Sequence, residues 1–277
     1  MGSLDNRVAI VTGGAQGIGG ASARKLAADG ARVLIADVNM AAASQNAERI
    51  VTAGGVVEVL EVDITQTEQI SGMIERAVEL WGRLDILVNN AWTRREGDGS
   101  ALTLTETAWD HAMSLVLKSV FLTAKYATPH MQKQGGGAIV SISSVHGMLV
   151  APARMAYEVN KAGVIALTRQ MAVDLGPLGI RVNAICPGHI VTENMQAYFW
   201  DNNPTMRPFF EAQYPVRRVG KPEDIAAAVH FLCTDAASFI TGVALPVDGG
   251  LTIQLQEDLG LSLARLVRAH PEIQLPA

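Results

Sequence analysis

Short runs of branched aliphatic residues punctuate the chain at 7–11, 32–36, 56–62, 85–88, 138–142, 181–185 and 243–246. They are near-continuously apolar, as strands are when both faces of their sheet are covered. Between them, apolar positions recur at helical spacing over 18–29, 41–52, 68–81, a long stretch within 107–134, 153–175 and 223–233. This alternation predicts an α/β fold: a doubly wound parallel sheet of about seven strands, with helices on both faces and right-handed crossovers. No composition shift, repeat or low-complexity tract divides the chain, so one domain over 1–277 is expected. Two segments break the rhythm. Residues 193–218 form a long connection carrying Tyr198, Phe199, Trp200, Phe209, Phe210 and Tyr214. It reads as a substrate lid, or alternatively as a flap packed on a neighbouring subunit. Residues 252–277 form an extension with a short helical pattern at 259–267, which either docks on another subunit or stays mobile.

The first strand runs into Thr12-Gly13-Gly14-Ala15-Gln16-Gly17-Ile18-Gly19, where the first helix begins. Glycines permit a tight path and close approach of a phosphate, and the helix N-terminus offers unpaired N–H groups and partial positive charge. Gly13, Gln16, Gly17, Ile18 and Gly19 are therefore candidate dinucleotide contacts. The second strand leads to Asp37, about 20 residues beyond the turn, where an acid binds ribose hydroxyls and repels a 2′-phosphate. Its neighbours Val38, Asn39 and Met40 carry no positive charge, and Gly14 puts none in the turn. NAD is expected over NADP, with Val38 beside the ribose site; the competing reading of Asp37 is a helix cap. Asp63, followed by Ile64, is a candidate for the adenine amine or simply a cap. Of Asn89 and Asn90 after the fourth strand, Asn90 is the candidate cofactor contact and Asn89 the structural one.

Tyr157 and Lys161 stand four residues apart on a predicted helix and so face the same way. A phenol of pKa about 10 is a poor base at neutral pH, and a neighbouring cation lowers that value. The pair is a metal-free means of moving a proton to or from an alcohol oxygen.

Composition narrows the possibilities. Net charge is −5 with no basic run, against nucleic acid as a partner. No apolar stretch approaches the roughly 20 residues of a membrane span, and the N-terminus lacks the features of a signal peptide. The two cysteines, Cys186 and Cys233, are far apart and lack metal-ligand spacing. A soluble cytoplasmic protein without a metal is expected.

In this order, Thr12–Gly19, Asp37, Asn89-Asn90-Ala91, Ser144, Tyr157/Lys161, Pro187-Gly188, Thr241-Gly242 and Val247-Asp248-Gly249-Gly250 resemble the classical short-chain dehydrogenase/reductase family, from about residue 7 to residue 250. The resemblance implies a Rossmann-type domain, usually dimeric or tetrameric, that moves a hydride between nicotinamide and a carbonyl or secondary alcohol. It implies Tyr157 as acid/base, Lys161 as the group that lowers its pKa and holds the nicotinamide ribose, and Ser144 as the partner of the substrate oxygen. Tyr157 and Lys161 thereby also count as cofactor contacts. Pro187, Gly188, Ile190 and Thr192 match the segment beneath the nicotinamide and diphosphate. Ser143 is expected to face away.

Two positions depart from the pattern. Val116 stands where the family has an asparagine that holds a water linked to the lysine, so Ser114, Lys118, Ser119 or backbone carbonyls must carry that relay, or turnover is slower. Trp92 replaces a glycine, and either narrows the pocket or fills a gap between loops. Trp92, Ser144, His146 and His189 are the candidate substrate contacts, with a capped or solvated loop histidine as the other reading of His146. The expected activity is NAD-dependent oxidation of a secondary alcohol or reduction of a ketone. The alternatives are a 3-oxoacyl-carrier reductase, which Asp37 opposes, and a weakly active nucleotide-binding scaffold, which only Val116 supports.

Overall fold

The computed structural model describes residues 2–92 and 97–274. Seven strands and ten α-helices follow in chain order: β1 (Val8–Thr12), α1 (Gly17–Ala28), β2 (Arg32–Asp37), α2 (Met40–Thr52), β3 (Val56–Glu61), α3 (Thr67–Trp81), β4 (Ile86–Asn89), α4 (Glu106–Ala112), α5 (Ser119–Lys133), β5 (Gly137–Ile142), α6 (Met155–Leu175), β6 (Ile180–Pro187), α7 (Glu193–Met195), α8 (Arg207–Ala212), α9 (Pro222–Cys233), β7 (Ala244–Val247) and α10 (Gln256–Ala269). All strand pairs are parallel, in the order β3-β2-β1-β4-β5-β6-β7. The winding reverses between β1 and β4, so a crevice opens there at the carboxyl ends of the strands.

One apolar layer joins α1, α2 and α9 to the sheet through Leu26, Ile50, Ile225 and Val229; the opposite layer joins α3, α5 and α6 through Ile74, Val120, Met131 and Val164. Each fully buried large aliphatic side chain contributes about 2 kcal/mol by leaving water. β1 is buried at every position, as its unbroken apolar run demands. β3 departs from that expectation: it lies at the sheet edge, and its outer residues Val56 and Glu61 are exposed.

The amino-terminal edge of the sheet is held by a buried carboxylate. Asp85 accepts hydrogen bonds from the Val8 N–H (2.8 Å), Arg83 Nε (2.8 Å) and Arg83 Nη2 (2.6 Å). Charge-assisted bonds of this kind anchor β1 beside β4. Asp85, expected within the strand ladder, acts as a clamp just before it.

The long helix expected within 107–134 is broken by a π-helical turn, Met113–Lys118, between α4 and α5. Ser119 Oγ donates to the carbonyls of Leu115 (2.7 Å) and Val116 (3.2 Å), so the loosened backbone remains paired. The 193–218 connection is mostly helical: α7, a π turn (Gln196–Trp200), a 3₁₀ turn (Pro204–Met206) and α8. The carboxyl-terminal extension lies across it. Gln254 Nε2 donates to the Gln213 carbonyl (2.6 Å), the Gln274 N–H to Thr205 Oγ1 (3.4 Å), and Ile273 is buried. No described helix is long and apolar enough to cross a membrane.

Candidate active site

β1 delivers the glycine turn to the crevice. Gly13 has φ +63°, and a Cβ there would lie 2.7 Å from Ala91 Cα, so only glycine fits. Asn90 ties the turn to β4: its side-chain amide donates to the carbonyls of Thr12 (3.1 Å) and Gly13 (2.9 Å), and its N–H to Thr12 Oγ1 (3.0 Å). Asn89 is buried and accepts from Thr123 Oγ1 (2.8 Å), a structural bond. At the head of α1, Gln16 gives no side-chain cap and the first turn contains no acid. Instead the Gly17 N–H donates to Glu193 Oε2 (2.9 Å), and Thr192 lies over the same glycine. Gly19 needs its missing side chain, because a Cβ would collide with the Gly13 carbonyl; Ile18 is half-buried beside it.

Asp37, at the carboxyl end of β2, accepts from the Ala15 N–H (3.0 Å) and the Asn39 N–H (2.9 Å). Asn39, not Asp37, caps α2 through the Ala42 N–H (3.1 Å). Val38 beside it is exposed. Asp63 closes a local turn by accepting from the Thr65 N–H (2.9 Å) and Thr65 Oγ1 (2.7 Å), while Ile64 is buried.

Ser144, Tyr157 and Lys161 converge where β5 meets α6. Ser144 Oγ accepts from the His146 N–H (3.1 Å) and hydrogen-bonds the Tyr157 phenol. Lys161 is buried; its Nζ donates to the Ile142 carbonyl (2.8 Å) and stands 5.7 Å from the Tyr157 ring centroid. Ser143 faces away, as expected, donating to the Lys161 carbonyl (2.8 Å). Burial depresses the Lys161 ammonium to about 8. The expectation that Lys161 holds the phenol below its ordinary value is not met in the ligand-free chain. Burial raises Tyr157; the Ser144 bond and the Arg154 charge pull it down, and Glu158 adds to the rise. Val116 is buried in the apolar layer and offers Lys161 no polar group; the lysine's Nζ is bonded to the backbone carbonyl of Ile142.

Two of the candidate substrate residues flank Tyr157. The Trp92 ring meets it edge-on at 5.3 Å and the His146 ring at 5.7 Å. Trp92 is nearly half exposed. His189 packs among Phe199, Trp200 and Phe210 of the 193–218 segment, at 5.1–6.4 Å between ring centroids. Burial lowers its pKa, and its N–H donates to Tyr214 Oη (2.9 Å). Pro187 ends β6, Gly188 packs on Asp248 and Tyr214, Ile190 bridges to Gly220, and Thr192 caps α7 through the Met195 N–H (3.2 Å).

Known proteins resemble this chain in sequence and fold. Residues 13–252 match the family model described as enoyl-(acyl carrier protein) reductase. A relative from Xanthobacter autotrophicus, 2-(S)-hydroxypropyl-CoM dehydrogenase 3, is 39% identical over 251 residues, covering 90% of this chain and 98% of its own. The chain belongs to the short-chain dehydrogenase/reductase family. It is thus an oxidoreductase of a family that typically uses a nicotinamide cofactor and acts on small molecules. Another member, cis-4-hydroxycyclohexanecarboxylate dehydrogenase of Sinomonas cyclohexanicum, is 40% identical over 246 residues, covering 89% of this chain and 96% of its own. The crystal structure of levodione reductase superposes with a TM-score of 0.84 at 32% identity, covering 91% of this chain and all of that one.

The residues present suit the family's dinucleotide. The cradle at Gly13 and Gly19 excludes side chains, and the Glu193 carboxylate sits on the Gly17 N–H where an anion belongs. Two groups here escaped sequence reasoning. Asp98 caps α6 from the loop after β4, accepting from the N–H groups of Ala156 (2.9 Å) and Tyr157 (3.1 Å). Glu158, next to the tyrosine, is buried and bonded to His146. Asp98 lies 58 residues before its partner, and no local pattern announces such a cap. The signal for Glu158 was an acid in the first turn of a helix, which usually marks only a favourable dipole.

Proposed function

We propose that this protein is an NAD-dependent dehydrogenase of secondary alcohols, working in reverse as a ketone reductase. The observation that carries the reading is the gathering of the Ser144 hydroxyl, the Tyr157 phenol and the Lys161 ammonium where β5 meets α6. Gly13, Gln16, Gly17, Ile18, Gly19, Asn90, Pro187, Gly188, Ile190 and Thr192 are proposed to line the dinucleotide, with Asp63 and Ile64 at the adenine. Asp37 and Val38 are proposed at the adenine ribose, and the Asp37 carboxylate disfavours a 2′-phosphate. Bound nicotinamide supplies the hydride acceptor or donor.

In the oxidative direction Tyr157, as phenolate, takes the proton of the carbinol hydroxyl. Ser144 accepts from the His146 N–H, which leaves its own hydrogen to donate to the developing carbonyl oxygen. Lys161 is the cation a phenolate meets across the ring. Asp98 keeps the first turn of α6, and with it Tyr157, in place. In the reductive direction Tyr157 returns the proton. The activities named for the two relatives, on a hydroxypropyl and a hydroxycyclohexane compound, support a secondary alcohol. The description of the family model favours a carrier-linked reductase as the second reading. A homo-oligomer, dimer or tetramer, belongs to the proposal, supported by the exposed Phe121, Val173 and Phe239.

Initial rates of nicotinamide reduction with a panel of secondary alcohols test the reading. NAD is expected to support turnover, with NADP at least about tenfold poorer in kcat/KM through like-charge repulsion. Tyr157→Phe is expected to lower kcat by about 10²–10⁴ while NADH binding, read by fluorescence, stays within a few-fold. Preference for NADPH with a 3-oxoacyl carrier substrate, or an unchanged rate in Tyr157→Phe, refutes it.

A further inference from the structure

Glu158 is an unusual neighbour for a catalytic phenol, because a buried carboxylate works against forming a phenolate. Its side chain is only 8% exposed, and one of its oxygens carries two partners. Oε1 accepts from the Ala151 N–H (2.6 Å) and meets Nδ1 of His146 at 2.9 Å. One carboxylate oxygen thus ties the loop after β5 to the first turn of α6, and holds the imidazole against the Tyr157 ring. The backbone N–H of the same histidine is bonded to Ser144 Oγ. His146 therefore borders both groups that receive the reacting oxygen.

A carboxylate only accepts, so Nδ1 must carry the hydrogen. In the neutral ring Nε2 is then an acceptor. Among the described residues Nε2 has no hydrogen-bond partner, and the imidazole is 35% exposed beside the pocket mouth. An acceptor fixed within reach of the Ser144–Tyr157 pair suits an O–H on a carbon near the carbinol.

We propose that Glu158 is a positioning residue that pins His146 through Nδ1, so that Nε2 receives a second hydroxyl of the substrate and the enzyme selects diols over the matching simple alcohols. This rests on the alcohol dehydrogenase reading above. A hydroxyl one or two carbons from the reacting carbon satisfies both sites, whereas a simple secondary alcohol leaves Nε2 without its partner. One such bond at a part-exposed imidazole is worth about five- to tenfold in kcat/KM.

The experiment uses the full chain, with 2,3-butanediol against 2-butanol and cis-1,2-cyclohexanediol against cyclohexanol, and NAD as acceptor. Diols are expected to have the higher kcat/KM by about five- to tenfold, chiefly through KM. In His146→Phe the diol-to-monool ratio falls to about one. In Glu158→Ala it falls most of the way, and Glu158→Gln, whose amide oxygen still accepts, restores part of it. A readout independent of turnover is the ¹⁵N spectrum of the histidine rings, with His146 assigned from the His146→Phe variant. Ligand-free protein should show protonated Nδ1 at His146, lost in Glu158→Ala, and with NADH bound the Nε2 signal should move on adding diol but not monool. A protonated Nε2 in the ligand-free protein overturns the proposal. So does an Nε2 signal indifferent to diol, an unchanged ratio in His146→Phe, or a preference for hydroxy acids. Should no alcohol be oxidised at all, the dehydrogenase reading fails by itself, and the ring spectra still decide whether His146 is pinned and whether it contacts a diol.

Discussion

Replacing Lys161 by methionine is expected to stabilise the ligand-free protein at neutral pH while removing turnover. The ammonium is buried, with one hydrogen-bonded partner, the Ile142 carbonyl at 2.8 Å. Its pKa falls from 10.5 to about 8, and burial is the main cause. At roughly 1.4 kcal/mol per unit, keeping the charged form folded costs about 3 kcal/mol. Methionine has similar length and no charge, so it relieves that cost; leaving the Ile142 carbonyl unpaired returns about 1 kcal/mol of it. The variant should gain about 2 kcal/mol at pH 7. The sign with pH follows from the depressed pKa. Between about 8 and 10.5 the unfolded chain binds more protons than the folded one, so wild-type stability rises across that window. The advantage of the variant should therefore shrink and vanish above about pH 10. Urea unfolding of both proteins at several pH values, at one protein concentration and without nucleotide, measures the difference directly. A variant less stable than wild type at pH 7, or a difference that does not change with pH, refutes the argument that the lysine is held against its own solvation.

Asp37→Ala is expected to reduce the preference for NAD over NADP by about tenfold or more, read as the ratio of kcat/KM values; an unchanged ratio removes Asp37 from cofactor discrimination. Asp85→Ala should cost about 1–3 kcal/mol in urea unfolding, because it strands the buried Val8 N–H, whereas the Arg83 guanidinium, 40% exposed, regains water. Val116→Asn should destabilise by about 1–3 kcal/mol, since its side chain enters an apolar layer; a more stable variant means that the amide finds a partner there.

Much of this molecule was legible because its strands and helices carry their own periodicities. The seven strands were found to within two residues, since a parallel sheet covered on both faces imposes an apolar run that loops do not share. β3 was placed correctly, but its edge position was not, because Val56–Glu61 shows the same residues whether one neighbour or two pair with it. Tyr157 and Lys161 could be read together because helical spacing alone puts them on one face. Asp98, Asp85 and Glu158 could not be read, because their partners come from other elements. His189 sits beside a conspicuous Pro-Gly pair, which suggested the pocket mouth. The structure packs its ring among Phe199 and Trp200 of the π turn and Phe210 of α8, an outcome decided by how those two elements fold back. The phenol ran against expectation for a related reason: helical spacing sets proximity, but desolvation depends on everything packed around the ring.

The carboxyl-terminal extension is laced to the 193–218 segment through Gln254 and Gln274. Any swing of the segment bearing Phe210 must drag α10 along or snap those ties. On the proposal that this segment covers the substrate, deuterium uptake along α10 reports, from a site remote from the chemistry, whether the entrance is ajar. A label or fusion partner hung on that end would then act as ballast.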